Sequence, residues 1–460
     1  MRALIRGAAS RQHLLWLAAI LILALALRLA WIAYAHPNPN DGRFDDTLFY
    51  DHAAQSLAAG KGYAGFFGAQ TAGWPPGYPL LLAGIYKAAG HDFLAPRLLN
   101  VFAGVATCLL VYLLGARVFD RRTGLVAAFL LAVFPSHIYR TTLLMTEVLT
   151  AAVVALLALL LLRWVMRESG PSRLQAVALG VLFGAFALMR GEAPAFVPVA
   201  LIVWKLAVPS WRRFAGGAAL MLSAMALAIA PWTVRNAITM DAFIPVASGL
   251  GHTFLAGHQD DPYDPYSVFP EAKITEQYSY LPYPEREMKV EREALRQGLD
   301  YAKSHPGYEV QLLFEKLYNM YRLDDDALAW IGGGWIDASK APWLQGSWVR
   351  SLDAVGTPVV TIPPAAEHNW KDLANGYYFA ALLMVAAGVF AWFSVRDRRK
   401  LLLVLMVAAW TALHLVFIPG SRYHAPLLPL FALWAAAGVL FLWDVVSRGI
   451  KARARPTDRT

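Results

Sequence analysis

Apolar residues in this chain come in blocks of about 17 to 25 with short polar connections between them. That is the length an α-helix needs to cross about 30 Å of hydrocarbon. The pattern predicts ten crossings, over residues 14–34, 94–114, 124–134, 143–162, 174–189, 193–208, 215–234, 377–393, 401–418 and 427–443. The third is short for a span and is expected to extend to either side. The first follows a basic stretch with Arg2, Arg6 and Arg11 and lacks a small-residue cleavage site, so it reads as a retained helix rather than a signal peptide.

Composition agrees with this pattern. The 460 residues are 58% hydrophobic and 16% charged, whereas a soluble protein carries roughly a quarter of its residues charged. Cys108 is the single cysteine, which excludes an internal disulfide and a CxxC metal or redox site. The net charge of +9 does not indicate nucleic acid, because the basic residues flank apolar spans. Alternate connections hold Arg117/Arg121/Arg122, Arg163/Arg167/Arg173, Lys205/Arg212/Arg213 and Arg396/Arg398/Arg399/Lys400, and the tail holds Arg448, Lys451, Arg453, Arg455 and Arg459. The positive-inside rule puts that side and both termini in the cytoplasm.

The opposite side then receives two long segments, 36–93 and 236–376. Long connections of folded composition usually carry function, so the external face is the expected working face. Three regions follow: an N-terminal membrane bundle (1–235) with the first external loop (36–93), an external cap (236–376) with a helix-like stretch over 285–301, and a C-terminal group of helices with a basic tail (377–460). No inverted repeat of the transporter type is visible.

The densest polar signal is Asp41-Gly42-Arg43-Phe44-Asp45-Asp46-Thr47-Leu48-Phe49-Tyr50-Asp51-His52. If Asp46 begins a helix, its carboxylate sits at the positive end of the macrodipole, with Tyr50 one turn along the same face. A carboxylate held at a membrane surface could act as a general base. From the spacing alone, a plain helix cap formed by Asp45 and Asp46 is the commoner explanation. Further on, Trp74-Pro75-Pro76-Gly77-Tyr78-Pro79 leads into an apolar stretch (80–89) too short to span, which reads as an interfacial helix. Trp74 and Tyr78 at that depth equally suit aromatic-belt anchors.

The order Asp46-x-x-x-Tyr50-x-x-x-Ala54, Leu57-x-x-Gly60-x-Gly62-Tyr63, then Trp74-Pro75-Pro76-Gly77-Tyr78-Pro79 resembles the first periplasmic loop of bacterial GT-C glycosyltransferases of the protein O-mannosyltransferase and aminoarabinose-transferase group. The resemblance continues through Arg28, Pro135 with Glu147, Pro231-Trp232-x-x-Arg235-Asn236, Ser248-Gly249-x-Gly251 with Gly257, His305-Pro306 with Lys316, and Arg422-Tyr423-x-x-Pro426-x-x-Pro429. Each motif is short. Their order on a matching topology is what carries the likeness.

The resemblance implies an α-helical integral membrane protein of the GT-C fold. It also implies an enzyme of the inner membrane that moves a sugar from a polyprenyl-phosphate donor to an acceptor outside the cytoplasm, usually with inversion. Asp46 matches the family's first-loop acid and would be the general base. Many relatives have Asp-Glu there, so the Asp45-Asp46 pair leaves the register open by one residue and Asp45 is the reserve. Glu147, at the outer end of the fourth span, matches a second acidic position. An intramembrane carboxylate is expensive unless paired or facing a cavity, although Glu147 could also snorkel or pair with Arg140. Asp46 and Glu147 could share a divalent cation (Mg, Mn or Ca) or bind the acceptor directly; members of the family differ on metal use.

The departing phosphate needs fixed cations, and the planar fork of arginine suits it. Arg422 is the first choice and Arg235 the second, with interfacial anchoring as the ordinary role of Arg235. His424 would add a hydrogen bond, and Lys61 and Lys87 are weaker donor-phosphate candidates. Arg190 is expected to pair with Glu192. Tyr50, Trp74, Tyr78 and Tyr423 are expected to line the substrate pocket.

Asp260-Asp261 with Asp264, and Asp324-Asp325-Asp326, lack the spacing of a calcium loop and read as solvated turns. His252, His258 and His368 read as ordinary loop residues, and the tyrosines and prolines of 263–283 suit a packed cap as well as a sugar. Two other functions remain in view. One is an O-antigen ligase or polymerase, which lacks the first-loop acid with the Trp-Pro-Pro-Gly-Tyr-Pro segment. The other is a lipid-linked sugar flippase, which predicts polar residues near mid-membrane.

Overall fold

The computed structural model describes residues 2–36, 46–65, 68–260, 271–332, 364–418 and 420–453. Among these the chain is almost wholly helical. The helices are α1 (Arg2–Tyr34), α2 (Asp46–Ala58), α3 (Gly77–Ala89), α4 (Leu94–Val118), α5 (Arg121–Ala132), α6 (Pro135–Tyr139), α7 (Glu147–Leu160), α8 (Arg173–Met189) and α9 (Phe196–Ala207). They continue with α10 (Trp211–Met240), α11 (Leu250–Gly257), α12 (Glu271–Gln277), α13 (Glu285–Ser304), α14 (Pro306–Tyr321), α15 (Asp326–Gly332), α16 (Pro364–Trp392), α17 (Arg398–Val416) and α18 (Leu428–Arg453). A 3₁₀ turn, Ser421–Leu427, leads into α18.

Among the described residues seven helices are long and apolar enough to cross a membrane, and the count is eight if α5 and the segment Pro135–Thr142 form one bent span. The remaining two apolar segments, α8 and α9, are shorter helices. All ten expected segments are therefore helical, while length and composition support seven or eight full crossings. The short third segment has a physical cause. Phe134 precedes a proline and takes an extended backbone (φ −70°, ψ 113°), which breaks the helix and turns the chain by 60°.

Where lipid surrounds the bundle, helix association depends on close packing rather than on the hydrophobic effect. α16 meets α18 at two glycines: a Cβ on Gly438 would sit 2.0 Å from the Met384 carbonyl oxygen, and one on Gly388 2.1 Å from that of Trp434. α18 runs through the centre of the bundle, whereas α10 and α16 lie at its edge with residues such as Leu227 and Phe390 facing outward. Several basic loops meet at one end: Arg399 donates to the Arg117 carbonyl at 3.1 Å and Arg122 stands 3.8 Å from Asp444 near the end of α18. Arg422 lies at the other end of α18.

That other end carries α2 and α3, which pack together through Phe49, Tyr50, Tyr63, Tyr78 and Leu82. At 13 residues, α3 is about 20 Å long, too short to span, as the sequence predicts. The helix expected over 285–301 is α13. With α11, α12 and α14 it forms the cap. Glu287 ties the cap to the first external loop by accepting from Thr71 Oγ1 (2.7 Å), the Ala72 amide (3.0 Å) and Ser248 Oγ (2.7 Å), and burial lifts its carboxyl above the usual range. Lys316 and His258 tie the cap to α17 through the last carbonyls of that helix: Lys316 Nζ donates to Leu415 at 3.2 Å and His258 Nε2 to Val416 at 2.8 Å. Burial pushes the Lys316 ammonium down to about 8.

One expectation is overturned here. Asp324 and Asp326 are buried, not solvated. Arg140 reaches Asp326 with both terminal nitrogens (2.9 and 2.5 Å) and Asp324 at 3.3 Å. Ser136 donates to Asp324, and His424 lies 3.1 Å from it. Arg140 supplies the buried positive charge that makes burial of two carboxylates tolerable. Its engagement there also leaves Glu147 to a different partner. His258, expected as an ordinary loop residue, is buried and 2.8 Å from Glu309. The residues 261–270, with Asp261 and Asp264, lie outside the described residues, as do the tail residues Arg455 and Arg459.

Candidate active site

Asp46 is the first residue of α2, so its carboxylate sits at the positive end of that helix. Both of its oxygens are engaged. Oδ2 accepts from Arg422 Nη1 at 2.6 Å and Oδ1 accepts from Trp74 Nε1 at 3.3 Å. Trp74 is itself fixed by stacking on Phe49 at 3.8 Å. Arg422 also donates to the Tyr423 hydroxyl at 3.3 Å and lies over that ring at 5.0 Å. The two charged side chains are 21% and 19% exposed, so the pair is sheltered but reachable from the aqueous side.

Glu147, the first residue of α7, is buried and faces Arg190 at 3.5 Å. Arg190 also donates to Thr146 Oγ1 at 2.8 Å and stands 3.5 Å from Glu192. Its guanidinium lies against the rings of Trp410 (5.7 Å) and Tyr423 (5.8 Å). His414, on α17, packs between Trp410 and Tyr423 and approaches Glu192 at 3.9 Å. Tyr50 connects the two ion pairs. Burial first, then the carboxylates of Asp46 and Glu147, hold its phenol well above its ordinary value, with Arg190 and Arg422 opposing. Tyr78 packs edge-on to Tyr50 at 5.1 Å.

The structure thus brings together Asp46, Arg422, Tyr423, Tyr50, Trp74, Tyr78 and Glu147 from the residues selected by sequence. It sends others elsewhere. Arg235 is occupied by the first external loop, donating to the carbonyls of Thr71 (2.7 Å) and Tyr63 (3.1 Å) and to Gln70 Oε1 (2.8 Å). His424 is fully buried against Asp324 and the Met320 carbonyl, on the Arg140 side of its turn. Lys61 and Lys87 are exposed. Asp45 lies outside the described residues. His414 and Trp410 were not selected by sequence, because a histidine and a tryptophan inside an apolar run look like the filling of a span. Their only trace was the polar character of His414 near the outer end of that run.

Among the described residues no three His, Cys, Asp or Glu side chains come together to hold a metal ion. Each carboxylate already faces a guanidinium, so arginine, not a vacant charge, balances the acids.

Residues 74–234 match the family model described as dolichyl-phosphate-mannose-protein mannosyltransferase. No sequence among the curated proteins matches the chain. Among solved structures, the chain is similar to the archaeal oligosaccharyltransferase AglB from Archaeoglobus fulgidus, in complex with an inhibitory peptide and a dolichol-phosphate, with TM-score 0.52, 15% identity, and coverage of 98% of this chain and 53% of that one. The same protein tethered to an acceptor peptide gives TM-score 0.51 and 15% identity over 97% and 52%. ArnT from Cupriavidus metallidurans bound to undecaprenyl phosphate gives TM-score 0.44 and 14% identity over 96% and 81%. The chain spans about half the length of the oligosaccharyltransferase it matches. It is a multi-pass membrane protein of the GT-C fold, with residues 74–234 matching the mannosyltransferase family model.

Proposed function

We propose that the protein is a membrane glycosyltransferase that takes a sugar from a polyprenyl-phosphate carrier and passes it, with inversion, to an acceptor outside the cytoplasm. The observation that carries this reading is the 2.6 Å contact between Asp46 and Arg422 at the end of the bundle that carries α2 and α3: a carboxylate able to take a proton beside a guanidinium able to hold a phosphate. The acceptor oxygen or nitrogen attacks the anomeric carbon while Asp46 takes its proton. The bond from that carbon to the phosphate oxygen breaks, and the electron pair leaves with the polyprenyl phosphate, whose growing charge Arg422 stabilises. The fold match and the family match support this class of reaction. The bilayer explains the architecture, since the donor's lipid stays in hydrocarbon while its sugar reaches an aqueous pocket.

Arg422→Lys keeps the charge but loses the planar fork. The expected result is a fall of about tenfold or more in kcat/KM for donor, carried mainly by kcat, read by steady-state kinetics. We also infer that Asp46 and Glu147 hold no cation in common, so chelation with EDTA is expected to leave turnover within about twofold; this estimate rests on the arginine pairing of both acids. For orientation, the inner membrane with both termini cytoplasmic is the proposal supported by the basic loops. A reporter fused at the C-terminus is expected to read cytoplasmic and one inserted beside Tyr280 external; the reverse would overturn the mechanism with the topology.

The deciding experiment incubates the purified protein in detergent with a panel of labelled polyprenyl-phosphate sugars, alone and with candidate acceptors. Release of free polyprenyl phosphate from one donor establishes the reaction class and names the sugar. No release from any donor by folded protein would favour the ligase and flippase readings, which liposome flipping assays separate.

A further inference from the structure

Beside the Asp46–Arg422 pair, three buried polar atoms have no hydrogen-bond partner within the protein: Glu147 Oε2, Arg190 Nε and His414 Nε2. Their side chains are 4%, 7% and 3% exposed. Buried polar groups are normally satisfied, and leaving one unpaired is costly. Three around one ion pair therefore mark a place where a ligand completes the bonding. Arg190 Nε and His414 Nε2 both face Glu192 Oε1, at 3.5 and 3.9 Å, neither making a hydrogen bond to it. Glu192 is 30% exposed, so the cluster has an open edge at that residue.

The hydrogen-bonding role of each atom is fixed. His414 Nδ1 lies 2.8 Å from the Trp410 carbonyl, which can only accept, so Nδ1 carries the proton and Nε2 of the neutral ring is an acceptor. Glu147 faces Arg190 through Oε1, which leaves Oε2 as a second acceptor. Arg190 Nε is a donor. The three atoms therefore offer two acceptors and one donor. A phosphate offers only acceptors and cannot satisfy the first two. An ammonium offers only donors and cannot satisfy the third. Hydroxyl groups, each a donor and an acceptor, satisfy all three.

From this pattern we infer that Glu147, Arg190 and His414 form a subsite that reads the hydroxyls of the donor sugar, next to the phosphate held by Arg422. The inference rests on the transferase reading and adds specificity to it. Tyr423 joins the two subsites physically: its hydroxyl accepts from Arg422 while its ring faces Arg190 and His414.

The test compares kcat/KM for the sugar donor that the protein turns over with a series of its monodeoxy analogues on the same polyprenyl phosphate. A site built to bond a hydroxyl rejects the analogue lacking it strongly, so wild type is expected to lose about 100-fold or more on at least one analogue. His414→Phe keeps the ring packing and removes the acceptor; it is expected to reduce that preference to about tenfold or less while still turning over the deoxy donor. Glu147→Gln, nearly the same in shape, provides a second variant with an altered preference should His414→Phe misfold. Wild type that transfers without discriminating, or variants that keep the wild-type preference, would overturn the subsite and leave the transferase reading intact. Absence of transfer from every donor would remove the transferase reading, and the subsite with it.

Discussion

Asp46→Asn is expected to lower sugar transfer by about a thousandfold, the middle of the range for a positioned general base, without weakening donor binding. The second half of this expectation separates a base from a structural residue. Asp46 engages Arg422 at 2.6 Å, so donor phosphate must compete with a carboxylate for the same guanidinium. Asparagine removes the competing charge and keeps one oxygen for Arg422, while its amide nitrogen cannot accept from Trp74, which stays held by its stacking on Phe49. Binding of labelled donor should then be equal or tighter in the variant, while release of polyprenyl phosphate nearly stops. A variant within about tenfold of wild-type turnover would remove Asp46 from the role of base. Asp45→Asn, measured in parallel, decides the register of the acidic pair, because the base is the position whose loss stops transfer but preserves binding.

How far the site could be read from sequence follows from the distance over which each interaction acts. Asp46 was legible because a carboxylate opening a helix after a membrane span is a local pattern, and Tyr50 and Trp74 belong to the same short loop. The pairing of Asp46 with Arg422 was not, since 376 positions separate them. A resemblance supplied each half but not the contact. Arg235 ranks second to Arg422 as a phosphate ligand by sequence, and only the fold shows that carbonyls of the first external loop already occupy its donors. The third apolar segment looked short because its helix breaks before Pro135, and the bent continuation to Thr142 was not legible in its apolar pattern. Asp324-Asp325-Asp326 reads as solvated by sequence because its partner, like that of Asp46, is remote in the chain. The balancing charge, Arg140, is 184 positions away from Asp324.

That balancing charge yields the second large effect. Arg140→Ala is expected to destabilise the protein by about 3–5 kcal/mol, the usual result of removing one partner from a buried ion pair. The reason is the state of what remains: Asp324 and Asp326, with side chains 0% and 3% exposed, would face each other without a guanidinium. A large fall in the apparent melting temperature in detergent is the readout. The triple change Arg140→Met, Asp324→Asn, Asp326→Asn removes all three charges and should recover much of the loss, because burying charge is itself the expensive step. If Arg140→Ala melts like wild type, the cluster is more hydrated than its burial indicates. The consequence also reaches the site. Asp324 stands 3.1 Å from His424, and His424 shares the turn Ser421–Leu427 with Arg422. Loosening one side of that turn loosens the other, so Arg140→Ala protein that survives purification should bind donor more weakly. A merely unstable protein would instead lose active molecules at unchanged KM, and the two outcomes separate by comparing KM with the active fraction.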